Sequence, residues 1–186
     1  MTWNREHAGI PAAPAIAIDW SVTAMTEAAA RVAAARSWDH LRAATAVAEA
    51  VWWVTLVDAT LVRYHARSYE TALAGKKVRR RRTEETLAGL RYVRNQLGRS
   101  VDPAELIRRA EAPADGDPGA WAWSPLPEPG LDGLTPRARR WELGRYRAYR
   151  ERLAGHDVAR TLARCTKFLA QAAGRASETD AKAQAD

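Results

Sequence analysis

A single cysteine, Cys165, occurs in the whole chain, so no internal disulfide can form and a secreted scaffold held by cystines is excluded. A reducing compartment fits such a chain. Long apolar runs are missing as well. The most apolar stretch, Ala50 to Val57 (AVWWVTLV), is bounded by Glu49 and Asp58 and falls far short of the roughly 20 residues that cross a bilayer. It reads as a core helix, and no membrane partner is expected. Near the N-terminus Arg5 is followed by Glu6 and PAAPAIAI, without the basic-then-apolar order of a signal peptide. The expected location is cytoplasmic.

The residue patterns of metal and nucleophile chemistry are also absent. There is no Glu-x-x-His pair, no His-Glu-x-x-His and no cysteine cluster, so neither a metal nor a cofactor is expected. Gly-x-Ser-x-Gly is missing, and Gly75-Lys76 lacks the earlier glycine and the following hydroxyl of a phosphate-binding loop. His7, His40, His65 and His156 are isolated. Cys165 falls on an apolar stripe and is most simply a small buried hydrophobe.

What remains is rich in alanine and arginine. Alanine is the best helix former, and 186 residues suffice for one domain with a sizeable core. The expected fold is all-α, a bundle of about five helices with one long loop containing Trp and Pro. The formal charge of +7 is unevenly placed. Residues 1–75 carry 6 basic and 7 acidic residues, residues 76–112 carry 11 and 5, and residues 113–186 carry 12 and 10. A basic centre of this kind attracts polyanions, nucleic acid first among them.

Along the chain, residues 1–18 read as an arm, 19–174 as a single helical domain and 175–186 (RASETDAKAQAD, after Gly174) as a disordered tail. Asp19 can cap a first helix. Ser37 opens a second, with Val47, Val51, Val54 and Leu61 on one stripe, ending near Gly75. The basic run then forms a connection, and Thr83 begins a third helix with Leu87, Leu90 and Leu97 inward. Residues 112–135 form an ordered loop in which Trp121 and Trp123 alternate as in an extended segment. Thr135-Pro136 starts a fourth helix with Leu143, Tyr146, Tyr149 and Leu153 inward. Asp157 opens the last, whose stripe is Val158, Leu162, Cys165, Leu169 and Ala172.

Two charges interrupt these stripes, Asp58 on the second helix and Arg94 on the third. An unpaired charge there is strongly unfavourable, so the two are expected to form a buried pair; the alternative places each at the edge of its stripe, in reach of water. The stretch LAGLRYVRNQLGRS, Leu87 to Ser100, resembles the HEPN ribonuclease family, whose signature near the end of a bundle helix is Arg, a polar residue that is often Asn, and a His after four to six intervening residues. Arg94-Asn95 supplies the first part. The family resemblance implies a helical bundle, a homodimer, and a site in which the His helps deprotonate a ribose 2′-hydroxyl while the Arg holds the scissile phosphate. The His positions are occupied here by Arg99, Ser100 and Val101, and no histidine lies between His65 and His156. Arginine cannot act as the base, so no catalytic residue is assigned. The WAWSPLPEP segment and the RERLAGHDVARTLARCTKFL helix resemble those of uncharacterised actinobacterial and phage proteins.

The run KKVRRRR holds six basic residues in seven and can track a phosphate backbone. The candidate nucleic-acid contacts are therefore Lys76, Lys77, Arg79, Arg80, Arg81, Arg82, Arg91, Arg94, Asn95 and Arg99. Trp52, Trp53, Trp121, Trp123 and Trp141 could stack on bases but are expected in the core. The sequence thus points to a catalytically degenerate HEPN-like module that binds RNA or an acidic protein, in phage defence, toxin–antitoxin or mobile-element biology. The alternatives are an active metal-independent ribonuclease and an interaction bundle with no nucleic-acid role.

Overall fold

The computed structural model describes residues 15–185 apart from 36–38, 75, 76, 98, 100, 112, 113, 116 and 118. Six helices are present among the described residues: α1 (Ala15–Ala34), α2 (His40–Tyr64), α3 (Ala66–Leu73), α4 (Lys77–Leu97), α5 (Pro136–Arg152) and α6 (Val158–Ala185). The only strands among them, β1 (Ile107–Arg109) and β2 (Trp121–Trp123), form one small antiparallel pair. The fold is all-α.

α2 occupies the middle, in contact with α1, α4 and α6, while α5 lies against α4. Its stripe of Val47, Val51, Val54 and Leu61 is fully buried. By length and composition α2 could cross a bilayer, but half of its most apolar window is covered by the other elements, as befits a central core helix. The α6 stripe from Val158 to Ala172 is buried as well, and Cys165 with it; burial pushes its thiol up to about 12, so it is an inert packing group.

The Trp-containing loop is fastened to the bundle by both ring types. Trp121 donates through Nε1 to the Ala35 carbonyl at 2.9 Å, and Trp123 is fully buried. Two tyrosines reach the loop from the helices: Tyr92 of α4 donates to the Pro127 carbonyl at 2.5 Å, and Tyr149 of α5 to that of Ser124. β2 continues into bridges at Ala154 and Asp157, so the loop also orients the start of α6. Asp157 caps that helix, accepting from the Arg160 N–H at 2.8 Å. Thr135 caps α5, with Pro136 in its first turn.

Several expectations need correction. Asp39, not Ser37, caps α2, accepting from the Arg42 N–H at 2.9 Å; Ser37 lies outside the described residues. The arm is shorter than residues 1–18, because α1 begins at Ala15, where Ile18 is buried and anchors the first turns; residues 1–14 lie outside the described ones. Asp19 therefore sits within α1. The tail is helical to Ala185, with Ala172, Ala173 and Ala176 buried on either side of Gly174. Packing of α6 against α1 offsets the roughly 1 kcal/mol that a helical glycine costs. α2 does not run to Gly75 but breaks at His65, and α3 follows at a new angle of the backbone (φ −131°, ψ 40° at His65). Trp52, Trp141 and Leu143 are exposed rather than in the core.

Candidate functional site

The basic run is helix, not loop: Lys77 to Arg82 form the first turns of α4, and Lys76 lies outside the described residues. Lysine and arginine have good helix propensity, and two pairs one turn apart support the segment, Arg80–Glu84 at 3.1 Å and Arg81–Glu85 at 2.7 Å. The arrangement still carries a penalty. Cations in a first turn oppose the helix macrodipole by about 0.3–1 kcal/mol each, and an acid C-terminal to its base is the weaker order of such a pair. A bound anion would relieve both the mutual repulsion and the dipole mismatch.

The start of α4 faces α6 across a cleft of about 660 Å³. One wall is a helical stripe of α4 carrying Arg79, Arg82, Thr83 and Thr86, with Arg80 beside it. The other is a stripe of α6, from Arg164 through Lys167, Phe168 and Gln171 to Arg175. Glu151, Arg152 and His156, and the end of α3 with its cap, Ala72 to Ala74, complete the lining. Positive charge outweighs the single carboxylate on the lining. Arg79, Arg82 and Lys167 have no carboxylate partner within 4 Å among the described residues.

Two carboxylates brace this cleft from outside. Glu85 binds Arg81 of its own helix at 2.7 Å and Arg152 of α5 at 2.5 Å. Asp115 binds Arg164, lies 3.5 Å from His156 Nδ1, and accepts from the Asp157 N–H at 2.8 Å. Burial alone would raise the Asp115 carboxyl, but the Asp157 N–H, Arg164 and His156 outweigh it and hold it below the ordinary range. Glu85 is held low by the Arg81 hydrogen bond, against burial, with help from Arg152. Because both folded values lie below the unfolded values near 4, these carboxylates contribute stability above about pH 4 and lose it as pH falls through the folded values. Acid unfolding followed by circular dichroism should show Asp115→Asn less stable than wild type at neutral pH, with the difference shrinking as pH falls through the lowered carboxyl value of Asp115.

The remaining candidates are not brought together with this cleft. Asp58 is buried and paired as expected, but with Arg91, not Arg94: Arg91 Nη2 lies at 2.5 Å and Nε at 2.6 Å, and Tyr69 of α3 donates to the other oxygen at 2.9 Å. Arg94 is exposed and stacks over Trp52, 4.8 Å from the ring centroid. Asn95 donates to Glu142 of α5 at 3.3 Å, and Arg99 lies 4.0 Å from the same carboxylate, which Arg145 also contacts. These groups, with Trp141, line a small cavity of about 170 Å³. Arg94 lies about 18 Å along α4 from Arg82, at 1.5 Å per residue. His156 is far along the chain from Arg94 and belongs to the cleft at the opposite end of α4.

Among the described residues no group of three or more His, Cys, Asp or Glu side chains is placed to hold a metal ion. No protein-family model matches this chain, and comparisons with curated proteins and with solved structures return no match.

Proposed function

We propose that this chain is a cytoplasmic, HEPN-like helical module that has lost catalysis and binds RNA through the basic cleft between α4 and α6. The observation that carries the reading is the convergence, in one cleft, of α4 cations set against their own helix dipole and of Arg164, Lys167 and Arg175 from α6. Such an arrangement is unfavourable in isolation and is relieved by a polyanion. The loss of catalysis is supported by Arg99, Ser100 and Val101 standing where the family has its His. It is supported further by Glu142, which occupies Asn95 and Arg99.

Fluorescence anisotropy of labelled single-stranded RNA across a salt series tests this. Binding should weaken steeply with salt, and the triple change Arg79→Gln, Arg82→Gln, Lys167→Gln should flatten the log–log slope by about 2, at roughly 0.7 per lost contact. The RNA should stay intact on a gel. Cleavage abolished by Arg94→Ala would establish the ribonuclease alternative, and a slope untouched by the triple change would remove the cleft from the interface. Binding to neither RNA nor DNA would leave a protein-interaction bundle.

A further inference from the structure

The cleft holds two groups that a surface for charge alone does not require. Phe168 and Gln171 sit on the same α6 stripe as the cations, with Arg164 one turn before Phe168 and Arg175 one turn after Gln171. Resting on the reading above, we infer that the cleft seats one unstacked base of a single strand against Phe168 and Gln171 while the flanking cations hold the phosphates on either side.

Size is the first argument. About 660 Å³ is the volume of a small-ligand site, roughly 300–1,000 Å³, enough for a nucleotide or two. Spacing is the second. From Arg164 to Arg175 the stripe extends about 16 Å along the helix at 1.5 Å per residue, with each outer cation about 6 Å from the nearer of Phe168 and Gln171. The ring and the amide thus lie between two cations on one face of α6.

The third argument is rigidity. Phe168 is half-buried and packs edge-to-face with Tyr69, centroids 5.5 Å apart and planes at 80°. Tyr69 is in turn fixed by its hydrogen bond to Asp58. A ring held in this way presents its free surface to the cleft without an ordering cost on binding, and every base has a face to lay against it. Gln171 is exposed on the lining, and its amide supplies both a donor and an acceptor to a base edge. If Phe168 served packing alone, none of these groups would discriminate a nucleic acid from any other polyanion.

The full-length chain separates these cases. Its affinity would be measured for short single strands of RNA and DNA, for a duplex of the RNA sequence, and for a heparin fragment of matched charge, a polyanion without bases. The proteins would be wild type, Phe168→Leu and Gln171→Ala; leucine preserves an apolar filler, thermal melting confirms its fold, and Gln171 is exposed. Single strands should bind more tightly than duplex or heparin. Phe168→Leu should lower single-strand affinity by about fivefold or more, as expected for the loss of one stacked base, leaving heparin binding and the salt slope unchanged; Gln171→Ala should act in the same direction. Equal affinity for DNA would support the seat and correct only the preference for RNA. Heparin binding as tight as single-strand binding, or single-strand affinity unmoved in both variants, would overturn the seat with the cleft reading intact. Absence of binding to every polyanion would overturn the cleft reading itself, and the seat with it.

Discussion

Arg91→Met is expected to destabilise the fold by about 3 kcal/mol, and Asp58→Ala by about 2, although both remove the same ion pair. Breaking a buried pair typically costs about 3–5 kcal/mol because the surviving charge is stranded. Here the two survivors differ. The Asp58 side chain is 1% exposed and that of Arg91 36%, so the arginine head can turn to water when its partner is lost, whereas the carboxylate cannot. The exposure of Arg91 brings both figures to the lower part of the range or beneath it. Asp58→Ala retains a cost because the Tyr69 hydroxyl, whose ionisation is pushed up by burial and then by Asp58, loses its acceptor; an unpaired buried hydroxyl costs about 1–3 kcal/mol. Urea denaturation of the two variants and of the double variant measures the asymmetry, and equal losses would refute it. Part of the penalty should return in Arg91→Met with Asp58→Leu, where no charge is left inside.

The same pair has a functional consequence. Asp58, Arg91 and Tyr69 tie α2, α4 and α3 together, and Tyr69 supports Phe168. Arg91 does not line the cleft, yet its replacement should weaken single-strand binding while leaving the salt slope near the wild-type value. The fold thus couples the buried Asp58–Arg91 pair to the wall of its basic cleft. A charge that lowered stability without serving such a connection would be hard to account for in a bundle with ample aliphatic core.

How far the sequence foretold this depends on the kind of signal. The α2 and α6 stripes were legible because a 3.6-residue period survives wherever one helix face is buried, and the Thr135-Pro136 start because its capping chemistry is local. The burial of Asp58 was legible for the same reason as the stripes, but not its partner. Arg91 and Arg94 stand three residues apart, so they point within about 60° of each other at 100° per residue, and only the rotation of α4 against α2 decides between them. The break at His65 carried no signal, since neither glycine nor proline marks it and its residues all tolerate helix. The charge of the basic run suggests a loop, whereas arginine's helix propensity argues the other way. Half of the cleft was out of reach. Arg164, Lys167, Gln171 and Arg175 lie far from residues 79–82 in the chain and meet them only through the packing of α6 against α3 and α4. A second, polar stripe on α6 beside the apolar one was the available clue.

Gly89→Val is expected to cost 3 kcal/mol or more, roughly the upper end for an overpacked core, against a total stability of about 5–15 kcal/mol for a domain. Intrinsic propensity predicts the opposite sign, since a helical glycine is worse than alanine by about 1 kcal/mol, so the packing must decide. A Cβ at Gly89 would lie 2.7 Å from Leu153 Cδ1, 3.1 Å from Tyr149 Cα and 3.2 Å from Tyr149 N. The leucine methyl belongs to a fully buried side chain with little room to retreat, and the Tyr149 atoms are backbone, so relief requires moving α5 as a body. α5 also carries Arg152 and the Tyr149 hydroxyl that holds the loop, so displacement would spread to the cleft and to the start of α6. Gly89→Ala should therefore lose stability despite its better propensity, by about 1–2 kcal/mol after the two effects offset, and valine should add the clash of a branched side chain. Gly144 on α5 and Gly174 on α6 provide the control. A Cβ at either meets nothing within 4 Å, so Gly144→Ala and Gly174→Ala should each gain about 0.5–1 kcal/mol. Urea midpoints for the four variants test the assignment. If Gly89→Ala were stabilising like the other two, the close approach of α4 to α5 would not depend on this glycine.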